Sequence, residues 1–133
     1  MIQLIPKNQN KTFATDFKGK VILDHDEFRC KCHNKRCQYS IISNILIEKF
    51  RLLRFVTGDN PIQITSGFRC TIHNLAEGGG KLSQHQIGFA LDMACPGDMR
   101  LEDFETMALL VGFTYTKIYK DSNILHADVR GLD

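Results

Sequence analysis

Two histidines and an aspartate are the side chains of this sequence best suited to hold a metal ion together. His85 lies in a polar stretch, Asp92 follows it inside an apolar alternation, and His126 lies close to the end of the chain. Two neutral imidazoles and one carboxylate make a three-ligand set that leaves the fourth position of zinc open to water. The set predicts a catalytic zinc site; a hydrogen-bonded structural role for Asp92 is the alternative. The other histidines, His25, His33 and His73, are expected at the surface or in loops.

A second carboxylate, that of Asp128, follows the last of these ligands by two residues. In a strand, residues two apart share a face, so His126 and Asp128 are expected on the same side. Asp128 is therefore placed either to orient His126 or to accept a proton near the metal. The spacing leaves these two roles open.

Cysteines form a second group of potential ligands. Cys30, Cys32 and Cys37 lie close together with His33 among them, while Cys70 and a fifth cysteine stand apart. Three thiols and a histidine could hold a structural zinc ion, although this spacing is uncommon for a zinc knuckle. A disulfide is the second possibility. Unpaired thiols are the third possibility. Since no secretory leader is visible, a disulfide loses support, because cytosolic thiols are kept reduced.

Apolar periodicity predicts the elements that position these residues. The clearest helix is expected over residues 40–56, with Ser40 as its N-cap and Gly58 at its end. A short helix is expected after Thr71, and a longer one over residues 99–111. Strands are expected over residues 21–23, 62–65, 88–93, 113–119 and 124–129. This order predicts an α+β fold in which a small antiparallel sheet is flanked by helices.

Length and composition restrict the class of protein. With 133 residues, 43% hydrophobic and 24% charged, the chain is expected to form a single domain over residues 1–133, of which 1–20 are loosely ordered. A net charge of +2 gives no case for nucleic acid or an anionic membrane as the main partner. No apolar run approaches the roughly 20 residues of a membrane span. We expect a monomer, and no signal peptide is visible at the N-terminus.

Four segments of the sequence match the motifs of a known enzyme family. Residues 83–92 read SQHQIGFALD and fit S-x-H-x-x-G-x-A-x-D, and residues 65–70 read TSGFRC, 73–80 HNLAEGGG and 126–129 HADV. On these motifs the chain, from about residue 28 to 131, resembles the zinc D-alanyl-D-alanine carboxypeptidases of the VanY type. These peptidoglycan peptidases share their fold with lysostaphin-type enzymes and the hedgehog signalling domain.

The resemblance implies a function and roles for the site residues. It implies zinc held by His85, Asp92 and His126, and cleavage of D-amino-acid peptide bonds in peptidoglycan stem peptides, by a carboxypeptidase or a cell-wall endopeptidase (endolysin). It favours a substrate-facing role for Arg69, at a terminal carboxylate or at the oxyanion, and a substrate hydrogen bond from Ser83. One ion is expected at this site, and a second, structural ion or a disulfide is left open for Cys30, Cys32, Cys37 and Cys70.

The chain departs from part of the wider family at the general base. Some members have Glu or Asp three residues before the last zinc ligand, where this chain has Asn123, whose amide cannot take a proton. The branch ending in H-x-D, which this chain resembles more closely, offers Asp128 instead. The alternative function is therefore a catalytically inactive, zinc-containing module of the same fold that binds cell wall or protein.

The resemblance also bears on the cysteines and on where the protein acts. Relatives often have the segment E-F-x-C-x-C before the first helix, and residues 27–32 read EFRCKC. If a disulfide exists, Cys30 or Cys32 with Cys70 is the pairing to test first. A nucleic-acid-binding zinc finger on the cysteine cluster is disfavoured by the low net charge. The expected place of action is the bacterial cell wall, for a phage lysin made in the host cytoplasm or an exported enzyme whose leader is absent here.

Overall fold

Strands and helices alternate along the chain in the α+β order that the sequence predicts. The computed structural model describes residues 1–58, 60–78 and 83–132. Residues 79 and 80 of the glycine-rich stretch, and the last residue of the predicted 1–133 domain, lie outside these ranges. The elements are β1 (Ile2–Pro6), β2 (Thr12–Thr15), β3 (Val21–Asp24), α1 (His25–Phe28), β4 (Tyr39–Ser43), α2 (Asn44–Val56), β5 (Ile64–Ser66), α3 (Thr71–Ala76), a 3-10 helix (Gln84–Ile87), β6 (Ala90–Ala94), α4 (Leu101–Val111), β7 (Tyr115–Tyr119) and β8 (Ile124–Asp128).

The strands of the described residues form three antiparallel sheets rather than the one expected. β1 pairs with β4, β2 pairs with β3, and the other four strands form a sheet in the order β5-β6-β8-β7. The inward side chains of β6 and β8 alternate with their polar residues, and Leu91, Met93, Leu125 and Ala127 are fully buried. Each fully buried large apolar side chain contributes about 1.5–3 kcal/mol. The helix α4 packs on β7 and β8, and α2 packs on α4, so the core lies between this sheet and the helices.

The first long helix starts later than the sequence predicts. Residues 39–43 form β4, and Ser43, rather than Ser40, caps α2 by accepting hydrogen bonds from the amides of Ile45 and Leu46 at 3.1 and 3.3 Å. The apolar residues before Ser43 suit a strand as well as a helical turn, and pairing with β1 decides between them. Ser40 is instead buried, with its hydroxyl 2.7 Å from Nε2 of His25.

Two further expectations are corrected near the N-terminus. Residues 1–20, expected to be loosely ordered, contain β1 and β2, because each finds an antiparallel partner in a segment that follows it. His25, expected at the surface or in a loop, is fully buried, and its Nδ1 lies 2.6 Å from the carbonyl oxygen of Gln9. Both ring nitrogens of His25 are thus satisfied within the protein.

The remaining helices follow the predictions with small shifts at their ends. α3 begins at Thr71 with Cys70 as its N-cap, and α4 begins at Leu101, two residues later than expected. α4 ends as predicted at Gly112, which adopts a left-handed conformation with φ of 112°. Among the described residues, no helix has both the length and the apolar character that a membrane crossing requires.

Candidate metal centre

The pairing of β6 with β8 brings two of the candidate ligands face to face. Asp92 and His126 occupy directly opposite positions of these antiparallel strands, so their side chains project from the same face of the sheet. Nδ1 of His126 lies 2.9 Å from Oδ1 of Asp92. Residues 34 apart in sequence are therefore placed side by side by the register of the sheet.

The third candidate ligand comes from the 3-10 helix that precedes β6. The Ser83 hydroxyl caps this helix by accepting the His85 amide at 3.2 Å, and the Gln86 side chain accepts the Ser83 amide at 2.9 Å. The helix ends at Gly88, whose φ is 75°. A Cβ at Gly88 would overlap the carbonyl oxygen of Ile41, so only glycine lets the chain turn here towards β6.

A hydrogen bond to a backbone carbonyl oxygen decides which nitrogen of His85 faces the site. Nδ1 of His85 lies 2.7 Å from the carbonyl oxygen of Gly67, an acceptor, so Nδ1 carries the proton. The unprotonated Nε2 then faces Oδ1 of Asp92 at 3.2 Å. The rings of His85 and His126 have their centroids 5.1 Å apart. Both imidazoles are thus close enough to share one ion.

The spacing of these donor atoms fits zinc. One ring nitrogen from each of His85 and His126 and a carboxylate oxygen of Asp92 all lie within 4.8 Å of one another. In a tetrahedral zinc site with ligands about 2.0–2.1 Å from the ion, neighbouring donors are about 3.4 Å apart. The separations from Asp92 Oδ1, 2.9 and 3.2 Å, are close to that value. Two nitrogens and one oxygen are also a donor set that zinc favours.

The carboxylate of Asp92 is held in its charged form. Burial alone would raise its pKa, but the His126 and His85 imidazoles beside the carboxylate outweigh that effect and hold the pKa of Asp92 well below its usual range. A ligand must be deprotonated to bind a metal ion, so this carboxylate is prepared for binding near neutral pH.

Asp128 lies behind His126 and is fully buried. Its Oδ2 lies 2.8 Å from Nε2 of His126, and the Arg130 guanidinium donates to Oδ1 at 2.9 Å and to Oδ2 at 2.7 Å. Burial favours a higher pKa, but these hydrogen bonds from His126 and Arg130 lower the pKa of Asp128 to about 2. The ionised carboxylate accepts the Nε2 proton of His126, which leaves Nδ1 of His126 to face Asp92.

Arg69 contacts a candidate ligand directly. Its Nη2 donates to Oδ2 of Asp92 at 3.0 Å, its Nε to Ser66 Oγ at 2.9 Å, and its Nη1 lies 3.5 Å from Asn74 Oδ1. Because Oδ2 of Asp92 is held by this guanidinium, Oδ1 alone faces the two histidines. Arg69 also lines the cleft beside the histidines.

An open cleft of about 400 Å³ lies over the three candidate ligands. Arg69, Ser83 and Glu77 line it together with Lys117 and Tyr119 of β7. Neither β7 residue was predicted from the sequence. The alternation of YTKIY over residues 115–119 could have indicated them, but only the register shows that Lys117 lies opposite His126 and on the same face.

Asn123, three residues before the candidate ligand His126, lies in the turn between β7 and β8. Its φ is 57°, and its carbonyl oxygen accepts the Cys95 amide at 3.0 Å. Asparagine tolerates this left-handed conformation better than most residues. Its neutral amide provides no proton acceptor beside the cleft.

The cysteines assemble differently from the sequence cluster. Cys30, Cys32, Cys37 and Cys70 have their Sγ atoms within 4.8 Å of one another, and His33 is not in this group. All are free thiols within the described part of the chain, so Cys30 and Cys32, the candidate disulfide partners of Cys70, approach it closely without a disulfide. Cys95 lies elsewhere and donates to the Met99 carbonyl oxygen at 3.1 Å.

Most of the chain matches a known protein family. Residues 21–128 match the family described as Peptidase M15. A search of curated proteins finds no match to the chain. The matched range includes β6, β8 and all three candidate ligands.

Proposed function

Because the chain belongs to the peptidase M15 family, we propose that it is a zinc-dependent peptidase that hydrolyses D-amino-acid peptide bonds in peptidoglycan stem peptides. The observation that supports this most directly is the convergence of His85 Nε2, His126 Nδ1 and Asp92 Oδ1 at the floor of an open cleft. The family supports zinc and peptide hydrolysis; the geometry supports the choice of residues.

Each proposed ligand is oriented by a second group. A zinc ion held by His85, Asp92 and His126 would polarise a scissile carbonyl and lower the pKa of a bound water towards about 7. The Gly67 carbonyl fixes the proton of His85, Asp128 fixes that of His126, and Arg69 holds the outer oxygen of Asp92. Preorganisation of this kind keeps donor atoms aimed at one point before any ligand arrives.

Two cations beside the ligands suit an anionic or polarised substrate. Arg69 has N–H groups in addition to those bonded to Asp92, Ser66 and Asn74, and its planar fork suits a carboxylate or an oxyanion. Lys117 lies across the cleft on β7 and is exposed. We assign to these side chains the binding of the stem peptide's terminal carboxylate and the stabilisation of the oxyanion. Ser83 lines the same cleft, and we assign it a substrate hydrogen bond.

For Asp128 we assign a positioning role rather than that of a general base. The carboxylate is fully buried, and both of its oxygens accept hydrogen bonds from Arg130 or His126. A general base has to reach the proton that it abstracts, directly or through one water. Orientation of His126 is the role that these contacts support.

Asp128→Asn is expected to weaken zinc binding by about 10- to 100-fold while leaving the rate at saturating zinc within about tenfold. The asparagine keeps an oxygen that accepts the Nε2 proton of His126. It loses the negative charge that stabilises the present orientation of the His126 ring. Zinc titration combined with hydrolysis measured at saturating zinc separates the two effects. Asp121→Asn, an exposed aspartate of the β7–β8 hairpin, is the matched control. Unchanged zinc affinity with a rate loss of about a thousandfold would instead identify Asp128 as the base.

The proposed reaction is tested with purified peptidoglycan. We expect new stem-peptide termini, identified by mass spectrometry, that disappear on chelation and return when zinc is added. Release of free D-alanine would identify a carboxypeptidase, whereas new internal termini would identify an endopeptidase. Absence of any new terminus with the zinc-loaded protein would contradict the proposal.

Asn123 favours a second candidate function. Neither Asn123 nor the buried Asp128 offers a proton acceptor open to the cleft. A zinc-containing module that binds cell wall without cutting it would have this composition. Retention of the zinc-loaded protein on peptidoglycan, with no new termini, would support that alternative.

A further inference from the structure

Four cysteine side chains converge on one point away from the cleft. Sγ of Cys70 lies 3.7 Å from Sγ of Cys30 and 3.6 Å from that of Cys32, and Cys37 completes a group whose sulfurs all lie within 4.8 Å. A disulfide needs sulfurs about 2.05 Å apart. Four thiolates around a tetrahedral zinc ion, with Zn–S of about 2.3 Å, have sulfurs about 3.8 Å apart. From this geometry we propose a second, structural zinc site formed by Cys30, Cys32, Cys37 and Cys70.

The fold supplies these thiols from two separate segments. Three of them lie in the loop between α1 and β4, and Cys70 is the N-cap of α3. The 3.6 and 3.7 Å separations are the ones that join the two segments. A four-thiolate site with four protein ligands has no open position, which is typical of zinc sites that stabilise a fold.

Donors around the sulfurs favour the thiolate form that a metal requires. The Cys70 amide donates to Sγ of Cys30 at 3.4 Å, and the His73 amide donates to Sγ of Cys70 at 3.5 Å. The Lys7 ammonium lies 3.4 Å from Sγ of Cys32 and 3.0 Å from the Cys32 carbonyl oxygen. Hydrogen bonds and a cation of this kind offset the negative charge of four thiolates around a divalent ion.

The four cysteines are buried enough to shield a structural ion, and a surface pocket gives that ion access to them. Cys30 is buried, and the other three cysteines are half-buried against the hydrophobic core. Cys32, Cys37 and Lys7 line a surface pocket of about 520 Å³, which gives an ion a path to the thiols. A bound ion would be shielded from bulk water without being inaccessible during loading.

The proposed ion would fix the segment that leads to the cleft. Cys70 directly follows Arg69, whose amide donates to the His85 carbonyl oxygen at 3.2 Å, and the Phe68 amide donates to the Phe28 carbonyl oxygen at 2.8 Å. The thiolate site would therefore tie the loop after α1 to the segment that contacts Asp92. This inference concerns the cysteines alone and does not depend on whether the protein cleaves peptidoglycan.

Metal counting tests the site in a chain whose histidine ligands are removed. The His85→Ala/His126→Ala variant of the 133-residue chain, purified under reducing conditions without chelator, is expected to retain one zinc per chain by elemental mass spectrometry. Adding Cys32→Ser and Cys37→Ser to the double-histidine variant should reduce its zinc content from one ion per chain to none. Cys95→Ser in the same background is the matched control and should retain the ion, because Cys95 lies outside the cluster.

Cobalt loading provides a measurement that does not depend on the folding of a cysteine variant. The His85→Ala/His126→Ala variant, stripped of zinc and loaded with cobalt, should show the intense near-ultraviolet absorption of thiolate-to-cobalt charge transfer. Its mass under non-reducing, denaturing conditions should correspond to five free thiols. A mass lower by the hydrogens lost in a disulfide, or a chain with neither zinc nor the charge-transfer absorption, would overturn the proposal.

Discussion

Replacing His85 with alanine is expected to remove the metal ion of the cleft and to lower peptidoglycan hydrolysis by more than about a thousandfold. The variant lacks one of only three proposed ligands, and the remaining pair, Asp92 and His126, no longer encloses the ion. The 3-10 helix should persist, because its cap is formed by the Ser83 and Gln86 side chains rather than by the imidazole. Zinc content and hydrolysis, measured on the same preparation, report both effects.

His33→Ala is the control for this experiment. His33 is exposed, and it belongs to neither group of potential ligands in the described part of the chain. We expect its zinc content and rate to match those of the parent protein. An active His85→Ala protein with its full zinc content would show that the ligands of the cleft have been wrongly assigned.

Replacing Arg69 with methionine is expected to lower hydrolysis by about 100- to 1000-fold even at saturating zinc. Part of the loss at limiting zinc arises through Asp92, because Nη2 of Arg69 holds Oδ2 of that ligand. Saturating zinc removes the part of the rate loss that is due to weaker zinc binding. The rate loss that persists measures how much the guanidinium contributes to substrate binding and oxyanion stabilisation. The ratio kcat/KM, followed as a function of zinc concentration, separates the two contributions.

The conservative variant and a distant arginine complete this test. Arg69→Lys should restore only part of the rate, because an ammonium cannot hold Asp92 and a substrate oxygen in the same planar arrangement. Arg51→Met, on the exposed face of α2, should behave as the parent does. Full recovery of Arg69→Met at saturating zinc would limit Arg69 to positioning Asp92.

The two groups of ligands differ in the chemistry that they favour. His85, Asp92 and His126 are three proposed ligands that line an open cleft, an arrangement that leaves room for water and substrate. The four cysteines lie against the hydrophobic core and offer a closed set of thiolates. The segment 67–70 connects them, since it provides the carbonyl that orients His85, the guanidinium that contacts Asp92 and the thiol of Cys70.

Local patterns were sufficient to predict much of the fold around the cleft. The alternation of apolar and polar residues predicted strands at residues 88–93 and 124–129; β8 lies within its predicted range, and β6 ends one residue beyond its own, at Ala94. It also predicted that Leu125 and Ala127 face the core, where they are fully buried. Such predictions succeed because the period of a strand depends on neighbouring residues of the same segment.

Predictions from local patterns were wrong where the structure of one segment depends on its pairing with another. Ser40 and Ser43 are both suitable caps for α2, and pairing of β4 with β1 selects Ser43. The N-terminal segment looked too polar to be ordered, yet it forms β1 and β2 against strands that follow it. Sequence periodicity contains no information about such partners.

The sequence by itself determined which residue types are available to hold a metal ion and that His126 and Asp128 share one face of a strand, because both follow from residue identity and local spacing. The tertiary structure decided what those side chains contact. It placed Asp92 opposite His126, buried Asp128 behind that histidine, joined Arg69 to Asp92, and exchanged His33 for Cys70 in the cysteine group. Contacts between residues tens of positions apart depend on strand register and loop packing, which are set by the whole core rather than by any one segment.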